Sequence, residues 1–265
     1  MATAAVGSID VCRRTFLAGL RSETTRRVYR AALDQFEHWL RSQGKHWLDA
    51  TPDDICAFRA ALLARVAPPT VGVRLVALRR FYAELVAQRL TADNPAQMTP
   101  GPSTSGARLT PAADPQLMQR LLTLPDTRTL VGARDALVLR LLGEMGLRVS
   151  EICGLRQRDV VRLPEATETG LGLIVGDGTR RVRMVDLSLP TKTTLDAYLR
   201  LDLPLRRAAK GDGPHAALIQ RTAANRPVGG CALTPRYVFK LVRRYGALLD
   251  CPDLNPRMVR LAARS

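Results

Sequence analysis

The sequence predicts a mainly α protein in two units: a four-helix bundle, then an α+β unit with a small antiparallel sheet. Three observations carry this. Between residues 22 and 88, apolar side chains recur at steps of three and four, the period of amphipathic helices. MTPGPSTSGA, residues 98–107, interrupts that pattern with Pro, Gly, Ser and Thr, the composition of a linker. GLGLIVGDGTRRVRMVDLS, residues 170–188, places two β-prone runs around a Gly-Asp-Gly turn, a hairpin pattern. The expected division is a helical domain over 1–97, a linker over 98–108 and a second domain over 109–265.

The elements follow in order. A short helix around Arg13 to Leu20 supplies the first rod of the bundle. SETTRRVYRAALDQFEHWLRS, residues 22–42, is the second: Ser22 can cap it, Tyr29, Leu33, Phe36 and Leu40 share one face, and Gly44 ends it. Thr51, Pro52 and Asp54 open a third helix, expected to run to about Val66, with Ile55, Phe58, Leu62 and Leu63 inward. Pro68 and Pro69 are expected to break the chain, and a fourth helix then runs from Thr70 to about Gln88, burying Leu75, Leu78, Tyr82 and Leu85. In the second unit, helices are expected over residues 114–124, 132–145 and 149–155. The hairpin follows, then a helix over 191–206, a strand in HAALIQR, and a helix in LTPRYVFKLVRRYGALL, with Thr234 as cap and Pro235 at its first position. Pro256 marks one more helix start in LNPRMVRLAARS.

The 265 residues are 46% hydrophobic, enough to bury a core. The formal charge is +16 and the pI about 10.8. That excess points to a polyanionic partner, nucleic acid before an anionic membrane surface. No apolar run reaches the roughly 18 residues that span a bilayer. Four of the 40 basic residues are lysine (Lys45, Lys192, Lys210, Lys240), which leaves 36 arginines. A guanidinium grips phosphate through two parallel N–H groups; codon usage in a GC-rich genome would also favour arginine. The five cysteines are scattered without a CxxC pair, so they read as small apolar residues of a reducing cytosol, not as a zinc site or disulfide frame. MATAAVGSID lacks the basic flank and apolar core of a secretory signal. The expected compartment is the cytoplasm.

RDALVLRLLGEMGLRVSEICGLRQRDV, residues 134–160, resembles the first signature box of tyrosine recombinases of the Xer and phage-integrase type: an apolar helix, then Gly146, Leu147, Arg148, Ser150, Glu151, Leu155, Asp159 and Val160. Thr25, Tyr29, Leu33 and Phe36, the run LVALRRFYAEL, and Asn94-Pro95-Ala96 are similar to that family's DNA-clamping domain. The resemblance implies a SAM-like helical bundle followed by a recombinase catalytic-type domain, acting on DNA.

The implied chemistry is phosphoryl transfer in DNA. In the family a tyrosine attacks the scissile phosphate, and two arginines stabilise the charge that builds on it. A lysine on a β-hairpin protonates the leaving oxygen, and a histidine assists. Neither metal nor cofactor is implied, because the guanidinium pair supplies the positive charge that metals supply elsewhere. Arg148 matches the first arginine, Glu151 the acidic residue that supports it, and Arg260 the second arginine. The hairpin turn departs from the pattern: Asp177 stands where the family has lysine, and an aspartate repels phosphate. Arg180 or Arg181 lies nearby, but an arginine is almost permanently protonated and makes a poor general acid. Arg257 replaces the histidine, removing a group that exchanges protons near neutral pH. The five tyrosines all precede this second box; the nearest, Tyr245, lies in a helix that reads as packing. The expectation is a truncated catalytic-type domain that binds DNA without cleaving it alone.

DNA contacts implied by the resemblance fall on three helices. They are Thr25, Arg26, Arg27 and Arg30; Thr70, Arg74, Arg79 and Arg80; and Arg236, Lys240, Arg243 and Arg244. Most would meet phosphates, which position a protein without reading sequence. The implied partners are double-stranded DNA and a second copy or a partner recombinase on it, with no membrane. Two alternatives stand beside this reading: an active recombinase whose tyrosine segment lies outside this chain, and an unrelated basic helical transcription regulator.

Overall fold

The computed structural model describes residues 2–102, 110–164, 167–176, 182–208, 212–223 and 226–263. The chain divides into two compact units, Met1–Arg108 and Leu109–Ser265. Residues 98–102 of the expected linker are described; the rest of it lies outside the described residues.

The first unit is a four-helix bundle: α1 (Ala2–Ala18), α2 (Glu23–Ser42), α3 (Pro52–Leu63) and α4 (Pro68–Ala87). α1 starts well before the expected Arg13, because Ile9 and Cys12 extend its buried stripe by another turn and more. Ser22 caps α2, its hydroxyl accepting from the Thr25 N–H at 3.3 Å, and Gly44 leaves the helix at φ +69°, a conformation that a Cβ disfavours. Thr51 and Asp54 cap α3 reciprocally. Pro68 and Pro69 open α4 instead of breaking the chain. Proline's missing N–H is no loss in a first turn, where that group has no helical partner. The core is ring-rich: Phe36 lies 5.0 Å from Phe58 and 5.3 Å from Trp47, centroid to centroid, and the Tyr82 hydroxyl donates to the Trp47 carbonyl at 2.9 Å.

The second unit is built on α6 (Leu130–Gly143), which is buried along almost its whole length. α5 (Pro115–Thr123), α8 (Leu189–Ala208), α9 (Pro235–Ala247) and α10 (Pro256–Ala262) pack on it. α5 and α10 come so close that a Cβ on Gly143 would stand 2.3 Å from the Met118 side chain and 3.3 Å from that of Val259. A short α7 (Val149–Gly154) leads into a three-stranded antiparallel sheet: β1 (Val160–Arg162), β2 (Leu171–Val175) and β3 (Arg183–Asp186), in the order β1-β2-β3. Val160 pairs with Leu173, and Leu173 with Val185. The expected hairpin is β2–β3; β1 was not foreseen, being only three residues long.

A second pair joins β4 (Gln220–Ala223) to β5 (Arg226–Ala232). The strand expected from His215 therefore begins at Gln220. Among the residues before it, Ala217 forms an isolated bridge with Arg156, and the Leu218 N–H donates to the Leu155 carbonyl at 2.9 Å. β5 escaped the sequence reading because Pro227, Gly229 and Gly230 look like loop. The cysteines also depart from expectation: Cys12 is buried, but Cys56 and Cys231 are exposed, on the outer sides of α3 and β5. No described helix is long and apolar enough to cross a membrane.

Candidate nucleic-acid interface

Two helix starts bring arginines together. The chain turns at Gly146, whose φ of +65° suits glycine, and buries Leu147. Arg148 then caps α7: its N–H donates to Glu151 Oε2 at 2.7 Å, and its guanidinium to Oε1 at 3.1 Å. Its side chain remains 59% exposed. α10 begins at Pro256 under the cap of Asn255, whose side-chain oxygen accepts from the N–H groups of Arg257 and Met258. Arg257 and Arg260 stand three positions apart, so both fall on one side of this helix. Arg148, Arg257 and Arg260 line one open cleft, with Ser150 and Phe239 in its wall.

Glu151 organises the rim. Its side chain is 9% exposed and takes a second, two-pronged bond from Arg183 of β3, at 2.6 and 3.2 Å. Burial pushes its pKa up, but the Arg183 hydrogen bonds and the Arg148 N–H outweigh this and hold it down at about 2. It is therefore ionised at every ordinary pH, tying the strand that leaves the hairpin to the helix that carries Arg148. In the sequence, Arg183 is one more cation in an arginine-rich hairpin, with no local sign of its tie to Glu151. Asp177, Arg180 and Arg181, the tip residues singled out in the sequence, lie outside the described residues.

No tyrosine lines the cleft. Tyr29, Tyr82, Tyr198 and Tyr245 are buried, and Tyr237 is half-buried against Arg134. Burial and the nearby Asp135 carboxylate push the Tyr245 phenol up to about 12, which keeps it protonated and a poor nucleophile.

The three basic helices divide by what their arginines already hold. On α2, Arg27 and Arg30 are exposed and Thr25 is half-buried. Arg26 instead donates to the carbonyls of Leu17 and Leu20, at 3.1 and 3.0 Å, closing the C-terminal end of α1, and pairs with Glu23. On α4, Thr70 and Arg80 are exposed; Arg80 lies 5.6 Å from the ring centre of Tyr29. Arg74 is half-buried. Arg79 donates to the carbonyls of Ala96 and Thr99 and so pins the segment after α4 to the bundle. On α9, Arg236, Lys240 and Arg243 are exposed. Arg244 is tied inward to Asp135. Arg26, Arg79 and Arg244 thus hold structural bonds that a charge count cannot reveal.

The sequence reading also passed over Arg134 and Asp135. Both are buried in α6, where they form an ion pair at 2.8 Å. The signal was visible: an arginine and an aspartate side by side in an otherwise apolar helix must find partners.

Residues 15–89 match the family described as phage integrase, N-terminal SAM-like domain. Tyrosine recombinase XerD of Proteus mirabilis is 31% identical over 244 residues, 91% of this chain and 73% of the relative. Tyrosine recombinase XerC of Myxococcus xanthus is 30% identical over 237 residues, 87% and 72% of the two chains. Among solved structures, XerH site-specific recombinase bound to its palindromic difH substrate aligns with a TM-score of 0.69 at 17% identity, over 96% of this chain and 70% of that one. A lambda integrase tetramer bound to a Holliday junction aligns with a TM-score of 0.63 at 14% identity, over 97% and 68%. At those identities the structural likeness speaks for the fold.

Proposed function

The chain belongs to the tyrosine recombinase family, and from that premise we propose that it binds duplex DNA at sites of recombination and does not cleave DNA unaided. The observation that carries the binding half is the cleft in which Arg148, Arg257 and Arg260 meet. Guanidinium groups converging on an open cleft suit the non-bridging oxygens of one backbone phosphate. The exposed cations Arg27 and Arg30 of α2, Arg80 of α4, and Arg236, Lys240 and Arg243 of α9 extend the contact along the backbone, on two units that each engage the duplex. The domain division near residue 108 and assembly with a second copy or a partner recombinase on DNA are part of this proposal. Of the solved structures with this fold, XerH is described as bound to its difH substrate and lambda integrase as a tetramer bound to a Holliday junction.

The catalytic half rests on two residues. Arg257 is exposed on α10 at the position the family gives to histidine, and a guanidinium cannot take and return a proton near neutral pH. Asp177 matches in sequence the hairpin lysine of the family, and an ionised aspartate has no proton to give a leaving oxygen. Binding by an arginine clamp tolerates both changes; general acid catalysis tolerates neither.

Incubation with a nicked suicide duplex tests the reading. The expected result is a retarded complex that weakens steeply with salt and no denaturant-stable adduct. A covalent protein–DNA band would overturn the catalytic half, and absence of any complex at low salt would overturn the binding half.

A further inference from the structure

Arg134 is 1% exposed and Asp135 0%, and neither reaches the arginine cleft. Arg134 donates through Nε and Nη2 to Asp135 Oδ1, at 3.0 and 2.8 Å. It also donates through Nη1 to the Thr222 hydroxyl of β4 and through Nη2 to the Tyr237 hydroxyl of α9. Asp135 Oδ2 accepts from Arg244 Nη2 and from the Tyr245 hydroxyl, the latter at 3.2 Å. Each guanidinium also lies over a ring of α9: Arg134 4.7 Å from the centre of Tyr237 and Arg244 4.8 Å from that of Tyr245. Three residues of α9 therefore converge on one ion pair of α6.

The acceptor count matters here. A carboxylate offers about four lone-pair sites, and Asp135 fills two on each oxygen. Arg244 is the only half-exposed member of that shell, its side chain 52% accessible. At about 100° per residue, Arg236, Lys240 and Arg243 fall within roughly 60° of one another on α9, and Arg244 borders that face about 40° beyond Lys240, where its bond to Asp135 draws it toward α6.

We propose that Arg244 is a positioning residue: by completing the shell of Asp135 it fixes the rotation of α9, so that Arg236, Lys240 and Arg243 meet DNA phosphates and Arg244 does not. Hydrophobic contacts alone, from Val238, Leu241 and Val242, hold α9 against the core but set its rotation only loosely. Directional bonds to a saturated carboxylate set it sharply. The proposal rests on the reading that α9 meets DNA.

The test is the salt dependence of binding, measured by anisotropy on a labelled mixed-sequence duplex with the full chain. Each phosphate contact contributes a slope of about 0.9 in log K against log salt. Lys240→Gln is expected to lower the slope by about that amount. Arg244→Gln is expected to weaken binding about 5-fold with the slope unchanged. A slope loss for Arg244→Gln equal to that of Lys240→Gln would mean that Arg244 touches phosphate, overturning the inference and leaving the DNA reading intact. Unchanged affinity and slope for Arg244→Gln would overturn it too, since the residue would then be structural only. An unchanged slope for Lys240→Gln would overturn the α9 reading and the inference together. Should Arg244→Gln fail to fold, Arg244→Met keeps the aliphatic stem and removes the charge, and the same slope criterion applies to it.

Discussion

The two units solve the same problem, a cohesive helical core, with different materials. The bundle is held by rings: Tyr29, Phe36, Trp47, Phe58, Phe81 and Tyr82 are all buried, and Asp54 and Thr99 are the buried polar side chains among its described residues. The second unit buries Tyr198 and Tyr245 as its aromatic members and adds Arg134, Asp135, Asp159, Thr191, Thr194, Asp202 and Gln220. Apolar packing is non-directional and tolerates small rotations of a helix. Ion pairs and charged hydrogen bonds are directional, and a buried one is costly to leave half-made. In the proposed reading, the ionic unit is the one that aims Arg148, Arg260 and the exposed face of α9 at fixed points on a phosphate backbone.

Substitutions can break this contrast. The largest effect is expected from single cuts in each core. Phe36→Ala should cost about 3–5 kcal/mol in urea unfolding followed by tryptophan fluorescence, since both tryptophans belong to the bundle. Asp135→Ala should cost about 3–5 kcal/mol by leaving Arg134 buried without its partner, read by far-UV circular dichroism. The discriminating pair is the shape-conserving one. Phe36→Leu should be tolerated at roughly 1.5 kcal/mol or less, while Asp135→Asn, which keeps volume and removes charge, should cost more than that. Equal tolerance of the two would collapse the distinction.

Next in size is Glu151→Gln, expected to destabilise the second unit by about 1–3 kcal/mol at neutral pH. The pH dependence has a definite sign. The carboxyl of Glu151 is held at about 2 in the folded chain, below its ordinary 4.5, so its contribution is complete above pH 4.5 and fades as pH falls toward 2. The stability difference between wild type and Glu151→Gln should therefore shrink through that window. A difference constant with pH would show that Glu151 acts through shape and not charge.

The smallest effects should be alike in the two units. Thr51→Ala and Thr234→Ala each remove one capping oxygen, from α3 and α9, and should each cost about 1 kcal/mol. Thr234→Ala should also weaken DNA binding, because it loosens the start of the helix that carries Arg236; binding unaffected by it would argue against α9 as a contact.

Much of this molecule was legible as sequence because local rules write it there. Periodic apolar residues marked the helices, and Ser22, Thr51 and Thr234 cap where their residue types predict. The signature run around Arg148 carries the family resemblance in a single local stretch. What stayed hidden depended on pairing over long separations. β5 reads as loop until β4 lies beside it. Arg183 reads as one more surface cation until the hairpin folds back onto Glu151, 32 positions earlier. Arg26, Arg79 and Arg244 read as uncommitted surface cations until carbonyls and a buried carboxylate accept bonds from them. Composition and period determined where the charges are and which helices carry them. The tertiary structure alone decided which charges remain available, because a guanidinium's partners are set by what folding brings within hydrogen-bond reach, and that distance is not written in any local stretch of sequence.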